Sequence, residues 1–274
     1  MKIGIVGNGF VGGATALFEC PSVEVLIYDR NKEKCSKGVS SLLDLLECEV
    51  VFICLPTPMS SDGKCHVDIV SNAIEALKSL NYKGSVFVRS TVPVGFCSSK
   101  NVSFFPEFLT EANWKNDFKN TQNWIIGAKN EKDEKEIKQL INLAFDASKI
   151  DSNLISFLTS SEAELVKLTR NCFLATKVSF FNEIYEFCQK TYLNYNSVIE
   201  AVVKDSRIGA SHTKVPGNKG KFGFGGTCFP KDMSSMLNQM EQVSMKSYII
   251  KSAIDRNNEV DSDSSWKESG RSVV

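Results

Sequence analysis

The residues of this 274-residue chain that could do chemistry gather in three places. The first is Gly223-Phe224-Gly225-Gly226-Thr227-Cys228-Phe229-Pro230-Lys231-Asp232. Its glycines allow backbone conformations and a close approach that side chains forbid. They lead into a thiol, and a cation within a few residues favours the thiolate, the nucleophilic form. A tight surface turn with an incidental cysteine is the plainer reading, and the Phe-Pro-Lys-Asp ending speaks against it. The second place holds Lys167 and Asn171, which share a face if that stretch is helical. Taken alone, they fit a solvated helix surface. The third is Gly7-Asn8-Gly9-Phe10-Val11-Gly12, with Asp29 farther along.

Each group needs elements to position it. Ile3 to Val6 predicts a buried strand, the glycine turn follows at once, and a helix pattern runs from about Phe10 to Cys20. Val23 to Tyr28 predicts a second strand, closed by Asp29. In that context Gly7, Gly9 and Gly12 let the backbone approach a pyrophosphate at a helix N-terminus. An acid at the end of the second strand accepts hydrogen bonds from the adenosine ribose and repels a 2′-phosphate. NAD is the expected dinucleotide, and Arg30, beside Asp29, is the one residue arguing for NADP.

Lys32 to Cys48 predicts one helix with Leu42, Leu43, Leu45 and Leu46 facing inward. The apolar run Glu49 to Leu55 predicts a central strand of a parallel sheet. It ends in Pro56-Thr57-Pro58, at the carboxyl edge where such sheets bind ligands. A helix over Val67 to Leu80 and strands over Gly84 to Arg89, Val102 to Phe105 and Trp124 to Gly127 follow. Glu131 to Ala147 predicts a helix, and Ile150 to Thr159 an extended segment. From Ser160 a capped helix runs to about Gln189 with a very broad apolar surface. Shorter helices are expected over Ser197 to Lys204, Lys231 to Val243 and Ser247 to Glu259, with a long loop over Ser206 to Lys221. The expected architecture is α/β: a Rossmann-like parallel sheet over 1–159, then an all-helical central domain over 160–260. The Ser-rich, charged tail, 261–274, is expected to be disordered.

Apolar residues make up 42% and charged residues 23%, ordinary for a soluble protein with a sizeable core. Lys plus Arg and Asp plus Glu are both 32, so no basic excess predicts a nucleic-acid or anionic-membrane partner. No apolar run approaches the roughly 20 residues of a membrane span, and the N-terminus enters a strand, not a signal peptide. Nine cysteines without paired spacing suit free thiols in a reducing cytoplasm. The two histidines, His66 and His212, lie far apart, and no metal site is expected.

In order, Gly7-x-Gly9-x-x-Gly12, Ser90-Thr91-Val92-Pro93, Pro106-Glu107-Phe108-Leu109, Glu164-Leu165-x-Lys167 with Asn171, and Gly225-Gly226-x-Cys228-Phe229-Pro230-Lys231-Asp232 resemble the UDP-glucose/GDP-mannose dehydrogenase family. The last motif is nearest its UDP-glucose branch. The resemblance covers Met1 to about Glu259. It implies two successive NAD-dependent oxidations of UDP-glucose, alcohol to aldehyde to acid. Cys228 matches the nucleophile that forms a thiohemiacetal and then a thioester. Lys167 and Asn171 match helix residues that stabilise the developing oxyanion. Asp232 matches a residue that orients water or relays a proton, and Glu107 a general base for thioester hydrolysis.

The same resemblance implies that Thr91 and Glu111 lie near the nicotinamide and a bound water. Lys34 matches a cofactor-side position close to Asp29, and Pro56 and Thr57 match positions at the strand edge. Phe10, Val11 and Lys231 join this cofactor-binding set. Phe108 and Leu109 offer main-chain groups to the sugar nucleotide, and Arg207, His212, Phe222 and Gly225 are further substrate candidates. A homodimer through the long helix is implied. Family members carry another domain that closes over the uridine diphosphate, so the chain is expected to be a short form. The other readings are an NAD-binding homodimer with weak or no catalysis, and a dehydrogenase for another nucleotide sugar. A two-domain hydroxy-acid dehydrogenase would need no cysteine nucleophile.

Overall fold

The computed structural model of the chain describes residues 1–217, 220–261 and 273–274. Seven short strands form one sheet: β1 (Lys2–Val6), β2 (Glu24–Tyr28), β3 (Val50–Ile53), β4 (Ser85–Val88), β5 (Ser103–Phe104), β6 (Trp124–Gly127) and β7 (Ile155–Leu158). Those at the centre, β3 and β4, are apolar apart from Ser85 and buried on both faces, the pattern of a sheet covered by helices on each side. The order is β2-β1-β3-β4-β5-β6-β7, and every neighbouring pair is parallel except β5 with β6. The chain leaves β1 to one side for β2 and returns on the other for β3. Such a reversal opens a crevice at the carboxyl ends of the strands. On one face Phe18, Phe52, Phe105, Phe118 and Trp124 pack ring against ring. On the other, Val51, Ile53, Val86 and Val88 pack under Ile74 and Leu77.

The helices are α1 (Phe10–Thr15), α2 (Asp68–Ser79), α3 (Phe96–Lys100), α4 (Trp114–Lys119), α5 (Glu131–Asp146), α6 (Ser160–Lys190), α7 (Tyr195–Val202), α8 (Phe229–Gln242) and α9 (Ile249–Val260). The chain divides into two compact units, Met1–Thr57 with Val67–Lys167, and Pro58–His66 with Leu168–Val274. The first holds the sheet. The second has its own small cores, one of Cys172, Ala175, Phe224, Met233 and Ala253, the other of Phe181, Cys188, Tyr195 and Val215. The start of α6 lies directly on β6. Ser160 Oγ donates to Gly127 O at 3.0 Å, and a Cβ on Gly127 would stand 2.6 Å from Ser160 Cα. Only glycine lets the helix come so close.

Three local expectations change. Lys32 to Cys48 is not one helix but two 3-10 turns, Lys32–Lys34 and Leu42–Leu45. The Asp44 carboxylate takes the Ser40 and Ser41 N–H groups, and Gly38 turns the chain at φ +86°. As a result Leu45 is buried while Leu43 is 57% exposed. The first helix stops at Thr15 and continues as a 3-10 turn over Ala16–Phe18. Two short helices, α3 and α4, occupy stretches that carry no helical period in the sequence. Of the tail expected to be disordered, residues 262–272 lie outside the described residues. Its last residue donates from Val274 N to Met59 O at 2.9 Å. No helix among the described residues is long and apolar enough to cross a membrane.

Candidate active site

The glycine turn after β1 is shaped for a close-lying ligand. A Cβ on Gly12 would meet Gly7 O at 2.0 Å, and Gly7 itself has φ +96° with Cys54 O 2.8 Å from where its Cβ would be. Gly9, by contrast, has nothing within 4 Å of that point. Phe10 and Val11 open α1, and Val11 packs on the core beneath it. Asp29 follows β2, and its carboxylate accepts from Asn8 N at 2.7 Å and Asn31 N at 2.8 Å. A carboxylate has about four lone-pair sites, so roughly two remain for a ribose hydroxyl pair. Lys34 is tied in from the other side, its carbonyl accepting from Asn8 Nδ2 at 2.8 Å, while Arg30 points to solvent. At the β3 edge Pro56 is exposed and Thr57 buried. Thr57 Oγ1 donates to Thr91 O at 2.7 Å, fixing the loop after β4. These residues fit a dinucleotide.

The sheet unit also carries a buried charge pair. Lys167 Nζ, from the second turn of α6, donates to Glu107 Oε1 at 2.8 Å and to Glu107 O at 2.6 Å. Both side chains are about nineteen-twentieths buried, at 4% and 5% exposure. The Leu109 N–H is spent here as well, on Glu107 Oε2 at 2.7 Å, and the Phe108 ring lies 5.4 Å from Lys167 Nζ. Burial pushes the Glu107 carboxyl up, but the Lys167 charge and hydrogen bond outweigh it, with help from the Leu109 N–H and Arg89, and hold it below its ordinary value. Arg89 itself is 1% exposed and lies over the Phe105 ring at 4.2 Å. Its Nε and Nη1 have no hydrogen-bond partner among the described residues. Glu111 lies in the exposed turn before α4.

The helical unit carries a second set. Cys228 is the N-cap of α8, with Pro230 in the first turn, the place where a missing N–H costs nothing. One turn in, Asp232 is 1% exposed. Its Oδ2 accepts from Asn171 Nδ2 at 2.6 Å and its Oδ1 from Lys231 Nζ at 2.5 Å. Burial pulls the Lys231 ammonium down, but Asp232, Cys228 and Cys65 reverse the sign and hold it above its ordinary value. Lys231 is therefore a fixed cation next to the Cys228 thiol. Cys172, behind Asp232, is a different thiol, pushed up to about 12 by burial.

The glycine loop ahead of Cys228 is held by a residue the sequence did not single out. Asn257 of α9 accepts from Phe224 N at 2.6 Å and donates to Phe224 O at 2.9 Å, while Asn182 Oδ1 accepts from Gly223 N at 3.2 Å. Gly223, at φ +73°, has Asn257 Oδ1 only 2.5 Å from where a Cβ would lie. Gly225 is exposed beside it. Among the remaining substrate candidates, Phe222 packs on Tyr185 at 5.5 Å, and the His212 ring is 5.7 Å from Phe229. Burial, then the charge of Lys177, lowers the His212 ring below its ordinary value. Arg207 is on the surface, clamped by Asp205 at 2.6 Å. No group of His, Cys, Asp or Glu among the described residues could hold a metal ion.

A parallel sheet reversing beside a glycine cradle, with an acid closing the second strand, defines a dinucleotide-binding α/β protein. Residues 39–144 match the NAD binding domain of the UDP-glucose/GDP-mannose dehydrogenase family, and residues 161–259 match its central domain. The chain is 32% identical over 228 residues to a UDP-glucose 6-dehydrogenase of Rickettsia typhi, covering 78% of this chain and 50% of that one. It is 31% identical to that of Campylobacter jejuni, covering 86% and 67%. A UDP-glucose dehydrogenase structure from Pyrobaculum islandicum superposes with a TM-score of 0.81 at 26% identity, over 94% of this chain and 68% of that one. The chain belongs to the UDP-glucose/GDP-mannose dehydrogenase family, and its dinucleotide is NAD. It spans between half and two thirds of the length of these two curated relatives.

Proposed function

We propose that the chain carries out the four-electron oxidation of UDP-glucose at C6 to UDP-glucuronate, through covalent intermediates on Cys228. The observation that carries this reading is Asp232, buried and held by Lys231 and Asn171 in the first turn of the helix that Cys228 caps. NAD, held by Gly7, Gly9, Gly12 and Asp29, supplies the hydride acceptor. The Cys228 thiolate adds to the C6 aldehyde, forming a C–S bond and a thiohemiacetal oxyanion. That aldehyde arises when C6 of the alcohol gives up a hydride and its hydroxyl a proton. Loss of a second hydride, to a second NAD, leaves a thioester, which water cleaves to the acid and the free thiol. Lys167 keeps one N–H beyond the two it gives Glu107, and Asn171 one beyond that given to Asp232. Those remaining donors serve the oxyanion. Glu107, kept ionised, takes the proton of the attacking water, and Asp232 relays a proton beside Cys228.

NADH formation from UDP-glucose tests this, with and without Cys228→Ala. Two NADH per sugar are expected, and the variant is expected to lose net acid formation. Intact NAD binding with no turnover of UDP-glucose would overturn the reading, and turnover of GDP-mannose in preference would reassign the sugar. A homodimer through α6 is part of the same proposal. Phe173, Phe180 and Phe187 recur every seven residues and are 66%, 55% and 59% exposed, a single apolar stripe of the kind that a second copy covers. No disulfide joins any of the nine cysteines, which fits a reducing cytoplasm as the compartment in this reading.

A further inference from the structure

The start of α6 makes a contact that the reaction above does not use. Glu164, one turn before Lys167, is wholly buried. Its carboxylate accepts from Gly95 N at 2.6 Å and from Cys97 N at 2.8 Å. Gly95 is the N-cap of α3 and has φ +90°. That conformation suits glycine and disfavours the Ser, Thr or Asp side chains that cap helices locally. The cap comes instead from 69 residues away. Taking a carboxylate out of water is costly. Burial pushes the Glu164 carboxyl up even with both hydrogen bonds in place. A helix of five residues is a small return on that cost, so the bond is better understood as a tie between elements.

The loop it holds is Ser90–Gly95, and the other end of that loop is fixed from β3. Ser90 Oγ donates to Leu55 O at 2.5 Å and Thr57 Oγ1 to Thr91 O at 2.7 Å. Three residues beyond Glu164, on the same helix face, Lys167 grips Glu107. The strands leading into these two segments, β4 and β5, are neighbours in the sheet. One helix face therefore fastens the ends of two adjacent strands.

We propose that Glu164 is a positioning residue. It binds the Thr91–Gly95 loop to the first turns of α6 and sets that loop and the Lys167–Glu107 pair in one frame. The inference rests on the reaction proposed above, because Thr91, Lys167 and Glu107 matter through that reaction. Hydrogen–deuterium exchange on the full chain, read by peptide mass spectrometry, tests it with Glu164→Gln. The control is Glu162→Gln, on the same turn, whose carboxylate binds Thr159 instead. Glu164→Gln is expected to speed exchange by about tenfold in peptides spanning both 90–100 and 105–109, since the α6 face that loses its grip on Gly95 and Cys97 also carries the Lys167 that holds Glu107. It should also weaken NAD binding, followed by fluorescence titration, by about fivefold through the loosened loop. The control should move neither. Faster exchange confined to 90–100, or no change, would overturn the proposal and leave a local cap. Glu164→Asp keeps the charge but is too short to reach both N–H groups, and it should give the same pattern if the amide variant fails to fold. Failure of both to fold would also overturn the proposal, in favour of a purely structural role. None of these readouts needs turnover, so a chain inactive on UDP-glucose would sink the reaction without touching this test.

Discussion

Glu107 stays charged inside the protein because Lys167 Nζ donates to its Oε1 and the Leu109 N–H to its Oε2. Removing the cation leaves the carboxylate buried alone. Lys167→Met is therefore expected to cost about 3–5 kcal/mol of stability, measured by urea unfolding at neutral pH. The pH dependence has a definite sign. A carboxyl held below its ordinary value of 4.5 contributes stability that is full above that value and is lost as pH falls through the lower, folded-state value. In Lys167→Met burial dominates and the carboxyl rises above its ordinary value, so the sign reverses. For this group stability should then be recovered, not lost, as pH falls through the raised value, read as an opposite slope in urea unfolding curves at acid pH. At this scale the sequence singles residues out by type and spacing and is silent about how they pair. Cys228, Lys231, Asp232, Lys167 and Asn171 all stand out by type and spacing. That Asp232 is the common partner of Lys231 and Asn171 depends on a contact 61 residues long, which no local pattern encodes.

Elements decide how these side chains are aimed. Asn257, on α9, pairs with both main-chain groups of Phe224 and so supports the loop that ends at Cys228. Asn257→Ala would orphan a buried N–H and a buried C=O, an expected loss of about 2–4 kcal/mol, read as a lower thermal midpoint. The same variant should alkylate faster at Cys228, followed by peptide mass spectrometry with the buried Cys188 as internal reference. Gly12→Ala tests the other loop: its Cβ would fall 2.0 Å from Gly7 O, so NAD binding, followed by fluorescence, should be abolished. The long apolar strands and α6 are legible because their patterns span enough residues to average out exceptions. α3 and α4, five and six residues long, are shorter than two helical turns and leave no period. The four leucines of Leu42–Leu46 mimic a helix, yet Asp44 spends its carboxylate on Ser40 and Ser41 and closes a tighter turn.

For the whole molecule, the proposed dimer makes a simple prediction. Phe180→Glu puts a charge into the middle of the exposed stripe on α6, and sedimentation should show a shift to monomer with the fold intact. The broad apolar surface of that helix is readable in the sequence, but its division into a core side and an outward Phe173-Phe180-Phe187 line needed the fold. Arg89 carries a consequence of another kind. Its guanidinium is buried with Nε and Nη1 unpartnered among the described residues, and replacing a buried charge by an apolar side chain of similar volume is often neutral or stabilising, by about 1–4 kcal/mol. A library of variants selected only for heat tolerance should therefore drift towards methionine or leucine at position 89. The survivors would keep their sheet and their dinucleotide, but Glu107, deprived of one of its two neighbouring cations, would need more alkaline conditions to hold its charge. Selection for sturdiness alone would thus narrow the pH range over which this protein can work.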